Sequence, residues 1–354
     1  MRRLFICLIG VLSFNTYLAT AGNSNGIGES GAGELLIDPW ARSSGWDWIN
    51  SACISGIEAM KLNVAGLAGT QGTEVDLSHT LWLDGSGISI NTLGFSQSLG
   101  KSGGVLGIDI MSIGFGNINV TTTSSPDGGL GTYSPQFINF GIGYAKVFSN
   151  NIYAGVAFRG ISEAISNVAS LGVEADAGVQ YQTGPETQPD QIKFGISLRN
   201  IGTKMTFSGD GLVYSNTVNN TKPYDINFAI DGDAFNMPSL LNIGASYDFK
   251  WGGANKDDRL TIAANFASHS YAQDQGGLGA EYAFKEIFMI RAGYTYEGGI
   301  TEASTRNTVL TGLSCGLSVV VPLKKNGPKL EIDYAYQTTS PFDGVHSIGL
   351  RLTM

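Results

Sequence analysis

The chain has 354 residues, 21 basic against 30 acidic side chains, only 14% charged residues and 49 glycines. A net charge of −9 makes it a poor partner for nucleic acid. Glycine stands at about twice ordinary usage and charge well below the usual quarter, a pairing that suits tight turns plus an apolar belt rather than a soluble globule.

Arg2 and Arg3 precede an apolar run from Leu4 to Leu18, and Ala19-Thr20-Ala21 completes an A-x-A cleavage pattern. Residues 1–21 therefore read as a secretory signal peptide, with Gly22 as the first mature residue. The two leader arginines aside, 19 basic residues face 30 acidic ones, a net of about −11. Two cysteines remain after the leader, Cys53 and Cys315, and spacing alone leaves open whether they pair. No paired Cys-x-x-Cys metal signature occurs.

Residues 22–72 form an appendage in which turn and helix signals replace alternation. From Thr73 onward nearly every segment alternates with period two, the signal of a strand with one apolar and one polar face. Leu330, Ile332, Tyr334 and Tyr336 share one face of a segment whose other face is polar. Leu171, Val173, Ala175, Ala177, Val179 and Tyr181 likewise oppose Ser170, Glu174, Asp176 and Gln180. Apolar faces of similar length recur around the whole chain, with tyrosines near segment ends, as in a lipid-facing barrel with aromatic girdles.

The predicted strands are 73–83, 86–99, 103–115, 135–149, 151–165, 169–183, 191–211, 239–250, 257–269, 274–284, 286–297, 309–321, 328–340 and 345–354. That is an even number, as bacterial barrels require. With both termini periplasmic, the long gaps 116–134 and 212–238 fall outside the cell, although 223–231 could also form a strand. The final Ser347 to Met354 segment alternates and ends with the chain, like an outer-membrane assembly signal. The expected fold is an all-β, fourteen-stranded antiparallel transmembrane barrel over 73–354. A lumen that wide needs filling, and residues 22–72 are the expected plug.

Chemical motifs give way to plainer readings. Gly26-Ile27-Gly28-Glu29-Ser30-Gly31 matches a dinucleotide pattern without the strand that should precede it. Gly312-Leu313-Ser314-Cys315-Gly316 matches a nucleophile elbow but lies inside an alternating segment. His79, His269 and His346 sit far apart in the sequence. Glu174, Asp176, Glu331 and Asp333 share the inward face with Lys193, Arg199, Arg259, Arg291 and Lys329, as expected of a mutually neutralised interior. The sequence thus points to no catalytic residue, cofactor or metal.

Leu35-Leu36-Ile37-Asp38-Pro39-Trp40-Ala41-Arg42-Ser43-Ser44-Gly45, followed by Asn63-Val64-Ala65-Gly66-Leu67-Ala68, resembles the opening of the PorV/PorQ family, a branch of the FadL-like barrels. Val64 replaces that family's proline, and Trp46-Asp47-Trp48 departs from its usual next turn. Phe194 to Gly202 is similar to the family's seventh strand. The resemblance singles out Asp38, Pro39, Ala41, Arg42, Gly45, Asn63, Ala65 and Gly66 as the plug motif. It also implies a non-enzymatic role in type IX secretion, with a giant translocon barrel, the C-terminal domains of exported cargo and the attachment complex as partners, in the outer membrane of a Gram-negative cell. Tyr214, Tyr224, Phe228, Phe235 and Met237, large apolar groups in the 212–238 gap, form the expected partner-binding loop. The rival reading is FadL-like uptake of a hydrophobic small molecule, which would need an apolar path where the inward positions named above are small or charged.

Overall fold

The computed structural model describes residues 26–100, 102–149, 151–218, 224–251, 258–324 and 327–354; the expected signal peptide and Gly22 lie outside the described residues. Its strands in chain order are β1 (Thr73–Trp82), β2 (Ile88–Ser98), β3 (Val105–Gly114), β4 (Ile118–Asn119), β5 (Thr132–Tyr133), β6 (Gln136–Val147), β7 (Ile152–Ile165), β8 (Val168–Thr183) and β9 (Ile192–Gly202). They continue as β10 (Val213–Val218), β11 (Tyr224–Ala229), β12 (Leu240–Trp251), β13 (Asp258–His269), β14 (Gln275–Phe284), β15 (Phe288–Glu297), β16 (Leu310–Pro322), β17 (Lys329–Thr339) and β18 (Val345–Thr353).

Fourteen of these close into one antiparallel barrel, each wall strand paired with its chain neighbour and β18 returning to β1. Closure leaves no wall strand with an open edge, a condition for standing in hydrocarbon. The pairs β4–β5 and β10–β11 stand outside the wall. Within segment 223–231, Tyr224–Ala229 therefore pairs with β10 outside the wall rather than forming a fifteenth wall strand.

Alternation decides which side faces out. On β8, Leu171, Val173, Val179 and Tyr181 are exposed while Ser170, Glu174, Asp176 and Gln180 are buried. A similar division on most wall strands gives an apolar outer belt and a largely polar inward face, broken by apolar inward residues such as Ile90, Met111 and Ile113, with Tyr144, Tyr181 and Tyr296 close to strand ends. Such a surface is stable in a bilayer and unstable in water.

Predicted and observed strands agree to within a few residues except at 191–211, where the regular strand β9 ends at Gly202. Asn200 takes a left-handed φ of 59°, and its main-chain N–H donates to Asp176 Oδ1 at 2.7 Å. The register between β8 and β9 shifts at Ala175/Ala177. A side-chain carboxylate thus replaces a ladder carbonyl at a bulge, after which Thr203 N still donates to Val173 O at 3.0 Å and Ser208 bridges Ala169 of β8. Beyond it Met205 pairs with Phe235 rather than with a wall strand.

Candidate functional site

Residues 33–69 run as short helical turns, including Ala41–Ser44, Ala59–Leu62 and Val64–Gly69, and are mostly buried. Inward groups of wall strands all around the barrel reach this segment. Ser78 on β1 donates to Pro39 O at 2.7 Å, Ser197 on β9 to Leu62 O at 2.8 Å, and Gln180 on β8 to Ser51 O and Ile54 O at 3.1 and 3.0 Å. Ser314 on β16 donates to Gly45 O at 3.2 Å and Gln337 on β17 to Asp47 Oδ1 at 2.9 Å. Contacts from every side place the segment within the barrel.

Inward glycines make the approach close enough. A Cβ at Gly178 would stand 2.1 Å from Asn63 Oδ1, one at Gly293 2.2 Å from Trp46 O, and one at Gly244 2.3 Å from Ser51 Oγ. Strand glycines of this kind mark where another backbone comes near.

The motif residues occupy defined places in this arrangement. Arg42 reaches Glu331 at 2.9 Å and Glu281 at 3.6 Å. Asn63 Oδ1 accepts from Ala65 N at 3.2 Å, and its amide donates to Ser51 O at 3.0 Å, fixing the start of the Val64–Gly69 turn. Gly66 packs against Ile54 O, Gly45 against Gly316, and Ala41 against Gly349. Asp38 Oδ1 accepts from Trp40 N at 3.1 Å. Burial pushes the Asp38 carboxyl up to about 7, opposed by that N–H and by the charge of Arg199. Burial likewise pushes Glu34 up to about 8, with the Glu163 carboxylate adding to it, and lowers Lys61 to about 8.

The wall carries its own charge clusters. Arg159, 2% exposed, faces Glu174 and, at 3.1 and 3.7 Å, Asp176 and Asp109; it also donates to Met60 O at 3.2 Å. Arg291 meets Glu281 and Asp333 at 2.9 and 3.6 Å, and Arg351 meets Asp76 and Glu58 at 2.8 and 3.2 Å. The carboxylates weighed above as candidate pairs are therefore held in ion pairs. Among the described residues no group of three or more His, Cys, Asp or Glu is placed to hold a metal ion. Ser314 lies mid-strand with its hydroxyl on Gly45 O, and Ser30 bridges Asn236 in place of the strand a dinucleotide turn requires. Cys53 belongs to the inner segment and Cys315 is exposed on the outer face; both are free.

Two cavities lie on opposite sides of the inner segment. One, of about 370 Å³, opens at the end that holds both barrel termini and is lined by Arg42, Glu58, Lys193, Asp248, Arg259 and Arg351. The other, of about 310 Å³, opens at the far end, where β1, β9 and β13 finish. Its walls include Ile37, Trp48, Ile49, Trp82, Leu240 and Ile300, with Asp38, Arg199, Asn242 and His269 among its polar groups. Trp46 lines the first cavity and Trp48 the second, so a single turn of chain separates them. Of the inward charges weighed in the sequence, only Arg199 lines this apolar space.

The expected partner-binding loop divides in two. Tyr214, Tyr224 and Phe228 are 58%, 53% and 51% exposed on the β10–β11 hairpin. Met237 is buried with Met205, Leu35 and Ile161, and Phe235 packs on the same cluster with its ring 5.6 Å from Phe207. Phe235 and Met237 thus pack against Leu35 of the inner segment and Ile161 of the wall rather than standing free on the loop.

No family model matches the chain, and no curated protein matches it in sequence. Solved structures do match in fold. The Pseudomonas putida toluene transporter TodX aligns with a TM-score of 0.50 and 11% identity over 85% of this chain and 93% of that one. A deltaS2 mutant of the TodX monoaromatic hydrocarbon channel aligns with a TM-score of 0.50 and 11% identity over 88% and 96%. A Pseudomonas aeruginosa FadL homologue aligns with a TM-score of 0.47 and 12% identity over 88% and 96%. At such identities the likeness is one of fold, and the resemblance to PorV/PorQ gains no support from these comparisons.

Proposed function

We propose that this chain is an outer-membrane channel for a small apolar molecule, which enters the cavity at the loop end and passes inward when the 33–69 segment shifts. The apolar cavity carries the reading: a closed, lipid-embedded barrel has no structural need for an empty space lined by Trp48, Trp82 and Leu240. The fold shared with a toluene transporter and a hydrocarbon channel supports the same class of cargo. In this reading both barrel termini are periplasmic, the loop end faces outward, and residues 33–69 act as a plug between an apolar antechamber and a charged periplasmic vestibule.

Ala267, inward on β13 and 7% exposed, lines the cavity. Ala267→Trp should fill it and slow toluene entry into a Gram-negative host by about tenfold, equivalent to ~1.4 kcal/mol of lost occupancy. Heat-modifiable migration should stay as in the parent. Undiminished entry with a correctly folded variant would overturn the reading.

A second reading keeps the secretion role that the N-terminal motif implies. The observation in its favour is the β10–β11 hairpin, where Tyr214, Tyr224 and Phe228 stand exposed at the loop end and could meet a translocon barrel or its cargo. Affinity purification from outer membranes in mild detergent separates the two, since only the second requires a stoichiometric protein partner.

A further inference from the structure

The geometry points to the turn from Trp46 to Ile49 as the gate between the two cavities, and to the inner face of β13–β15 as the path that it closes. This deepens the uptake reading and rests on it.

Three inward rows cross these strands in register. Asn265, Gly277 and Thr295 line the apolar cavity, while Thr261 and Glu281, nearer the barrel termini, line the charged one. The row between them is Ala263, Gly279 and Gly293. Its largest side chain is one methyl group, so the wall itself puts almost nothing between the cavities here. The filling comes from the inner segment. Trp46 and Ile49, 2% and 1% exposed, pack with Ala263 in one cluster. A Cβ at Gly279 would stand 2.8 Å from the Trp46 ring, one at Gly293 2.2 Å from Trp46 O, and one at Gly277 2.6 Å from Ile49 Cγ1. On β7 and β8 the wall behaves differently, because its own long side chains reach across: Arg159 donates to Met60 O and Gln180 to Ser51 O.

The turn is also strained and lightly held. Asp47 and Trp48 are both left-handed, with φ of 54° and 62°, a conformation that a bulky residue such as Trp48 seldom adopts. Residues held in such regions gather at clamps and switches, where the surroundings must keep them in place. The wall reaches Asp47 through Gln337, which donates to Oδ1 at 2.9 Å, and through Thr295, which donates to the main-chain carbonyl at 3.4 Å. Release of these two bonds lets the backbone relax, lifts Trp46 off the glycines and joins the cavities along β13–β15.

A tether tests the gate. Ile49 Cγ1 is one bond from its Cβ, so Cβ atoms at 49 and 277 lie no further apart than about 4 Å, within the reach of a disulfide. Ile49→Cys with Gly277→Cys, in a Cys53→Ala, Cys315→Ala background, should cut toluene entry into a Gram-negative host by about tenfold once oxidised with copper phenanthroline, and dithiothreitol should restore it. Trp46→Ala should raise single-channel conductance about threefold or more by emptying the space over the glycine row. Trp40→Ala should leave conductance at the parental level, since Trp40, 1% exposed and packed on Gly94 of β2, lines neither cavity. Parental heat-modifiable migration certifies each variant. Equal toluene entry with the two thiols shown to be paired, or conductance raised as much by Trp40→Ala as by Trp46→Ala, overturns the gate while leaving uptake intact. Toluene entry through the parental chain no faster than into a host lacking it overturns the uptake reading and this inference with it.

Discussion

Deleting residues 33–68 should turn a closed barrel into a conducting pore. The wall can form without them, because its principal ion pairs are its own. Arg159 is met by Asp109, Glu174 and Asp176, Arg291 by Glu281 and Asp333, and Arg351 by Asp76 and Glu74, all from wall strands. In the proposed reading the segment keeps water out of the lumen with Trp40, Trp46, Ile57, Met60 and Leu67, all nearly inaccessible. A fourteen-stranded lumen is too wide for wall side chains to close, so single-channel conductance in planar bilayers should rise by roughly tenfold or more. Conductance that stays at the parental level in a variant with normal heat-modifiable migration would contradict the assignment of the segment as a plug.

The second large effect is expected at Arg159. Its guanidinium stands among three carboxylates from β3 and β8, so Arg159→Leu leaves acidic groups buried without their counter-charge. Breaking a buried ionic cluster from one side costs about 3–5 kcal/mol. The variant should therefore unfold at a clearly lower guanidinium concentration or fail to assemble, and Arg159→Lys should fall between, since an ammonium cannot engage three carboxylates and Met60 O from one fixed fork. A parental unfolding midpoint for Arg159→Leu would show that the cluster contributes nothing to stability.

The wall was legible in the sequence because lipid outside and polar contacts inside impose strict alternation along each strand. Leu330, Ile332 and Tyr334 against Glu331 and Asp333 is such a case, and those residues face the belt and the lumen as expected. The departure at β9 was not legible, since it turns on one hydrogen bond from Asn200 N to the Asp176 side chain in a neighbouring strand. Nor did the 212–238 segment announce that it divides. Its aromatics look alike in sequence, yet Phe235 lies next to Met205, thirty positions earlier.

The cavity escaped for a different reason. Of the inward cations that argued against an apolar path, Lys193, Arg259 and Lys329 stand at the ends of β9, β13 and β17 nearest the barrel termini, and only Arg199 lines the apolar space. Further along, the inward side of the same wall carries Leu240, Ala267, Gly277 and Gly312, and these line the apolar space with Trp48 and Trp82. Alternation separates inside from outside but does not sort the inside by depth. The inward glycines were an unused signal: Gly178, Gly195, Gly244 and Gly293 weaken strands with no turn to justify them, and each admits backbone or side-chain atoms of the inner segment.

Whether the apolar cavity is where cargo sits is tested most directly by diffraction from crystals of the full chain soaked in 1-bromonaphthalene, with the bromine located by its anomalous signal. The account predicts a bromine peak at the loop end of the lumen, among Trp48, Ile49, Trp82 and Leu240. Bromine confined to the outer belt, with the lumen empty at saturating ligand, would contradict it.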